Sequence, residues 1–346
     1  MQDACSPSNS VRTNSSDMTD MNAETVVLGD LADGRLSGAT AELIALGRKL
    51  GGPVAVAFAG VGLESAASEA LAAGADKAYL LNSPVLAELQ TDALVAAFEQ
   101  LCKHSSPAVV LVAKTPMGRD VGPRLATRLG VGLAQDCVDL RRDSSGTLIA
   151  TRPVYGGNAL AALAFSDARP SIVVVRGKVY PPLAPDPARK GEIVRFEPKL
   201  DPSAVKARTV QFVRREAAGV RLEDAAVVVS GGRGLGGPEP FGMLKELAGL
   251  LDGAVGASRA ACDAGWIDHS YQVGLTGKTI TPNVYITVGI SGASQHMAGC
   301  SGAKNIVAIN KDANANIFKE ARYGVVGDWK KVLPSFIEAV RELVKS

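Results

Sequence analysis

A chain of 346 residues with 47% apolar content has ample material for a buried core and is long enough for about two domains. Its 37 Lys and Arg against 35 Asp and Glu leave no charge field of the kind that marks a nucleic-acid binder, and no apolar run reaches the ~18 residues of a membrane-spanning helix. Cys5, Cys102, Cys137, Cys262 and Cys300 form no CxxC pair and no zinc-like grouping with His104, His269 or His296, so no metal site is expected.

Residues 1–21 are rich in Ser, Asn and Asp, with neither the apolar stretch of a signal peptide nor the acid-poor, arginine-rich pattern of a transit peptide. They read as a disordered tail. Scattered, unpaired cysteines then point to reduced thiols and a cytoplasmic location.

From residue 25 the pattern alternates. Apolar, β-branched runs at 25–29, 53–60, 77–81 and 108–113 predict strands, and the stretches 41–50, 64–73 and 91–102 between them predict helices. Near-continuous apolar strands spaced by helices imply a parallel sheet covered on both faces. The segment TPMGRDVGPRLATRLG, residues 115–130, reads as a turn followed by an arginine-bearing helix, and 171–176 as a further strand. The prolines of 180–206 mark a loop-rich seam that frames a short strand candidate at 192–196. A second series begins near 225, with strands at 225–230, 284–288 and 305–310 and a helix at 241–251. The expected fold is α/β in two domains: an N-terminal parallel-sheet domain over 22–220 and a C-terminal doubly wound domain over 221–346.

The residues that carry chemistry lie in the second series. AAVVVSGGRGLGG ends a buried-type strand in glycines that fit G-x-G-x-x-G at Gly232, Gly234 and Gly237, a spacing that lets backbone approach a pyrophosphate. Asp252 follows about twenty residues on, which keeps a nicotinamide-binding Rossmann reading open, and with it an NAD-dependent dehydrogenase. A nucleotide-binding regulatory module is the third alternative. GASRAACDAG sets Ser258 and Arg259 among small residues, although Arg259 could equally be a solvent-facing side chain paired with Asp263 one turn on. QVGLTGK, from Gln272 to Lys278, and VYITVGISGASQHMAG, from Val284 to Gly299, bring amides, hydroxyls and one imidazole to strand-end loops. For His296 the competing reading is a core histidine beside a tight turn. IVAINKDANANIF again ends a strand in polar residues, at Asn310.

Taken together, GGRG, GASRAA, QVGLTGK, GISGASQHMAG, AINKDANANIF and YGVVGDW closely resemble the alpha subunit of electron transfer flavoproteins. TPMGRDVGPRLATRLG and TRPVYGGNALA resemble segments of that family's first domain more loosely. The resemblance implies an extended FAD on the second domain, surrounded by Arg233, Ser258, Arg259, Val273, Gly274, Leu275, Thr276, Ser291, Gly292, Ala293, Ser294, Gln295, His296, Asn310, Asp328 and Trp329. It assigns redox tuning of the flavin to Arg259, whose guanidinium stays charged. Thr276 would face the flavin N5, and His296 the pyrimidine side. It also implies a smaller beta subunit as obligate partner, acyl-CoA dehydrogenases as electron donors and a membrane quinone oxidoreductase as acceptor, or electron bifurcation from NADH between two acceptors. No Ser/His/Asp or paired-carboxylate grouping stands in the chain, in keeping with an electron carrier rather than an enzyme acting on its own substrate.

Overall fold

The computed structural model describes residues 24–155, 159–165, 168–207, 209–210 and 220–345, so the predicted tail lies outside the described residues. The described residues fall into two compact units, one within residues 1–153 and 160–211 and one within residues 154–159 and 212–346.

In the first unit the strands are β1 Thr25–Leu28, β2 Leu31–Ala32, β3 Arg35–Leu36, β4 Val54–Gly60, β5 Lys77–Asn82, β6 Val109–Ala113, β7 Leu133–Cys137, β8 Asp139–Arg142, β9 Leu148–Val154, β10 Ala159–Ala164, β11 Ser171–Val175 and β12 Glu192–Phe196. Seven of them form a parallel sheet in the order β12-β5-β4-β1-β6-β11-β7, and β10-β9-β8 form a small second sheet. Every residue of β4 and β6 is buried, because apolar clusters cover both faces of the large sheet. That two-sided burial is why these strands read as unbroken apolar runs.

The helices Gly38–Leu50, Glu64–Ala72, Thr91–Ser105 and Pro116–Leu129 supply the covering layers. The first begins three residues before the predicted 41–50 because Ser37 caps it, its Oγ accepting from the Thr40 amide at 3.1 Å. Thr115 caps Pro116–Leu129 in the same way, with Pro116 in the first turn. At the carboxyl end of the sheet Asp136 ties three strands together. It accepts from Lys114 at 2.6 Å, just past β6, and from Arg176 at 2.9 and 2.7 Å, just past β11.

The second unit holds β13 Val227–Gly231, β14 Ala254–Ala257, β15 Val284–Val288, β16 Ile306–Asn310 and β17 Tyr323–Val326, all parallel, in the order β14-β13-β15-β16-β17. Between them lie the helices Phe241–Leu250, Arg259–Asp263, Ser294–Met297 and Ile317–Glu320, and Trp329–Lys345 follows the last strand. One apolar cluster, including Leu244, Leu333 and Ile337, covers one face, and another, including Tyr285, Ile280 and Ile317, covers the other. The unit is therefore doubly wound. Cys102, Cys137, Cys262 and Cys300 are buried free thiols. Among the described residues no helix is long and apolar enough to cross a membrane.

Candidate functional site

The chain leaves β13 for β14 on one side and returns to β15 on the other, so the strand order reverses at the β13/β15 pair. Loops at the carboxyl ends of those two strands diverge there, which opens a crevice where ligands of doubly wound sheets bind. A pocket of about 640 Å³ lies at this point. The close approach of two glycine-rich turns shapes it: the Gly232 amide donates to Val288 O at 2.9 Å and the Gly234 amide to Gly289 O at 3.0 Å. A Cβ on Gly232 would stand 2.2 Å from Gly289 O, and one on Gly289 2.9 Å from Gly234 C, so neither of these two positions tolerates a side chain. The glycines here let two loops meet; the helix Phe241–Leu250 starts only after the segment 238–240.

The remaining walls come from the next strand ends. Ser258 anchors to Gly231 O through its amide at 2.9 Å and caps the short helix that carries Arg259. The 272–278 loop is pinned at both sides, by the Val273 amide on Ala257 O at 2.9 Å and by the Leu275 amide on Gln295 O at 2.7 Å. Gln272, itself buried, donates through Nε2 to Thr276 Oγ1 at 2.8 Å and so orients that hydroxyl. Asn310 donates through Nδ2 to Ile290 O at 2.9 Å and closes the wall beyond β15.

Arg233, Ser258, Arg259, Val273, Gly274, Leu275, Thr276, Ser291, Ala293, Gln295, His296 and Asn310 all line the pocket. Four other residues named from sequence do not. Gly292 lies behind the wall at φ 76°, where a Cβ would meet Ile317 N at 2.3 Å. Ser294 opens the helix Ser294–Met297, and Asp328 accepts from the Lys330 amide at 3.0 Å. Trp329 braces the glycine-rich turn, donating through Nε1 to Gly234 O at 3.2 Å. Conversely, Asp263, Gln272, Asp312 and Ala315 line the pocket without having been singled out as ligand contacts. Of these only Asp263 carries a signal in the sequence, its i+4 spacing from Arg259.

Two side chains combine both readings that the sequence allows. Arg259 Nε lies 3.2 Å from Asp263 Oδ2, with the side chains 68% and 51% exposed, and both residues line the pocket. Such an open ion pair is weak and leaves the guanidinium available. His296 is buried like a core histidine yet belongs to the pocket wall. Its Nε2 lies 2.8 Å from the Tyr285 hydroxyl, while Nδ1 is buried without a well-formed hydrogen bond. Burial pushes the imidazole down to about 4, opposed in part by the Val273 backbone, so the ring is neutral at neutral pH.

Asp252 stands in the turn before β14, at the amino end of that strand. An acidic residue that reads a ribose of a bound dinucleotide belongs at the opposite, carboxyl end. Ser258 and Arg259 occupy that place here, and the nicotinamide reading loses its support.

These features fit FAD. A pyrophosphate needs a cation, which Arg233 offers, and a flavin ring needs apolar wall and fixed polar groups, which Val273, Ile290, Ser258 and Thr276 offer. The second unit is thus a doubly wound flavin-binding domain. Comparison with known proteins agrees: residues 221–301 match the electron transfer flavoprotein FAD-binding domain, and residues 25–201 match the electron transfer flavoprotein domain. The electron transfer flavoprotein subunit alpha of Thermoanaerobacterium thermosaccharolyticum is 41% identical over 321 residues, spanning 92% of this chain and 97% of that protein. Those of Megasphaera elsdenii and Bacillus subtilis are 42% and 40% identical over 323 and 328 residues, spanning 91% and 93% of this chain and 96% and 99% of theirs. The chain belongs to the electron transfer flavoprotein alpha-subunit family, and its cofactor is FAD.

Proposed function

We propose that this chain holds its FAD in the strand-end pocket of the second unit and carries electrons from dehydrogenases, acyl-CoA dehydrogenases of fatty-acid β-oxidation first among them, to a membrane quinone oxidoreductase. The observation that carries the reading is the convergence of the loops after β13, β14, β15 and β16 on one pocket at the point where strand order reverses.

When bound, FAD supplies the one- and two-electron chemistry. Around it Arg233 offsets phosphate charge, Ser258 and Thr276 offer hydroxyls, and Arg259 offers a positive charge. His296 offers a neutral imidazole, while Val273, Leu275 and Ile290 keep water from one side. Ser291, Ala293, Gln295 and Asn310 complete the wall; Gly292, Ser294, Asp328 and Trp329 support the loops behind it.

The chain works as one subunit of a heterodimer with an electron transfer flavoprotein beta subunit. Apolar side chains left open on two edge strands support that partnership: Leu160 of β10 is 66% exposed, and Tyr323 and Val326 of β17 are 60% and 59% exposed. The four buried free thiols favour a cytoplasmic setting. The test is reconstitution: the purified complex should accept electrons from a reduced acyl-CoA dehydrogenase and pass them to a quinone oxidoreductase. NADH consumption that requires two acceptors at once would instead assign it to bifurcation.

A further inference from the structure

Among the described residues of the second unit the buried polar side chains are Ser230, Gln272, Thr287 and His296, and of these Gln272 and His296 line the pocket. A primary amide out of water costs free energy unless its ends find partners. Gln272 Nε2 donates to Thr276 Oγ1 at 2.8 Å, and Gln272 Oε1 faces His269 Nδ1 at 3.4 Å.

The backbone of Gln272 is held as firmly. Its amide donates to His269 O at 3.0 Å, and its carbonyl accepts from the Lys278 amide at 2.7 Å. Between those anchors the chain makes a tight turn, with the Gly277 amide donating to Gly274 O at 3.1 Å. A Cβ on Gly277 would stand 2.3 Å from Gln272 O, so the turn closes directly against residue 272. That closure brings Thr276 back over the buried amide. Thr276 itself is exposed and lines the pocket.

A hydroxyl has one proton to give and lone pairs to receive with. The Gln272 amide fills the receiving side from the buried face, and among the described residues no acceptor takes the proton. The O–H is left to donate into the pocket. The edge of an oxidised isoalloxazine carries lone pairs at N1, O2, O4 and N5 and an N–H only at N3, so a hydroxyl held as a donor suits most of that edge.

We propose that Gln272 is a positioning residue of the flavin site: from beneath the 274–277 turn its amide occupies the acceptor side of the Thr276 hydroxyl and holds that hydroxyl as a donor to the flavin ring. The inference rests on the reading that Thr276 touches the flavin. Without Gln272 the hydroxyl turns among roughly three staggered positions, of which one serves the ligand. Negative charge arriving with an electron strengthens a donor bond, so the same contact raises the one-electron midpoint.

The complex with its partner subunit, stripped of flavin and labelled with ¹⁵N-glutamine, reports the bond directly, with Gln272→Met identifying the side-chain amide signal. That signal should shift when Thr276→Val removes the hydroxyl; an unmoved signal would overturn the proposal. FAD affinity, followed by quenching of flavin fluorescence on rebinding, should fall about threefold in Gln272→Met, which keeps the length of the side chain and loses the donor. In Thr276→Val it should fall about three- to tenfold, the size of one neutral hydrogen bond. The one-electron midpoint should drop in Gln272→Met by about 30 mV, a threefold change at ~59 mV per tenfold. In the Thr276→Val background Gln272→Met should alter neither quantity. Gln272→Leu, smaller and equally without a donor, should repeat the pattern and keeps the comparison open if Gln272→Met folds poorly. Equal losses in both backgrounds would make Gln272 a packing residue of the loop and overturn the positioning role, as would unchanged affinity and midpoint in Gln272→Met. If Thr276→Val moves the amide signal yet leaves affinity and midpoint unchanged, the proposal falls because the flavin contact of Thr276 has failed, not the bond from Gln272.

Discussion

Replacing Arg259 with Ala tests the proposal that its charge tunes the flavin. In the structure Arg259 is engaged by Asp263 at 3.2 Å, both side chains being more than half exposed. A helical i,i+4 pair in that setting is worth ~0.3–0.5 kcal/mol, below RT at 298 K. A guanidinium hydrogen bond to negative charge arriving with an electron is worth about 1.5–3 kcal/mol. Several-fold in favour of the flavin, that comparison means Asp263 parks the side chain without trapping it. Loss of Arg259 should lower the one-electron midpoint by roughly 65–130 mV at ~59 mV per tenfold change, with solvent exposure favouring the lower half of the range. Arg259→Ala also strips Asp263 of its partner at the pocket rim. The double variant Arg259→Ala with Asp263→Asn should therefore recover part of the drop, and Arg259→Lys should fall between wild type and Ala, keeping charge but losing the planar fork. Spectroelectrochemical titration at low ionic strength, on flavin-saturated complex, measures each value. An unchanged midpoint in saturated Arg259→Ala would refute the role.

Gly232→Ala places a Cβ 2.2 Å from Gly289 O, which is backbone and yields little, so about 1–3 kcal/mol of stability and most of the bound flavin should be lost; Tm and the flavin-to-protein absorbance ratio report both. Gly242→Ala, in open space on the helix Phe241–Leu250, should instead raise stability by about 0.5–1 kcal/mol and leave flavin content alone. His296 at about 4 lies below its ordinary 6.5, so the unfolded chain takes up the proton first as the pH falls. Its contribution to stability is complete above pH 6.5 and is lost between 6.5 and about 4, and denaturant titrations of His296→Asn across that window should be flatter than those of wild type. For Asp136 burial opposes ionisation, but the hydrogen bonds from Arg176 and Lys114 prevail and hold the carboxyl below its usual range. Stability from this clamp is present above pH ~4 and lost as the pH falls below it, and Asp136→Asn should cost about 2 kcal/mol at pH 7 while flattening the acid limb.

The sheets are legible in the sequence where burial is two-sided. VAVAFAG of β4 can be little else, since all seven residues are covered. β14 escapes notice because AVGA is four residues long and contains a glycine, which the fold requires: a Cβ on Gly256 would stand 2.4 Å from Ser230 Oγ. β17 escapes for the opposite reason, being exposed throughout, so that pairing with β16 rather than burial makes it a strand. Glycine-rich strand ends announce the pocket because close loop approach demands them. Gln272 and Asp312 bear no such mark, since polar residues in loops are ordinary, and Tyr285 reads as one more core aromatic. Only the fold sets its hydroxyl against a histidine eleven positions later.

Titration of the flavin-stripped complex with FAD tests the central claim most directly. The account predicts saturable uptake of one FAD attributable to this chain, mostly lost in Gly232→Ala, with a flavin that an acyl-CoA dehydrogenase then reduces. A folded complex that stays colourless through reconstitution, or that binds flavin equally well with the Gly232 turn disrupted, would contradict it.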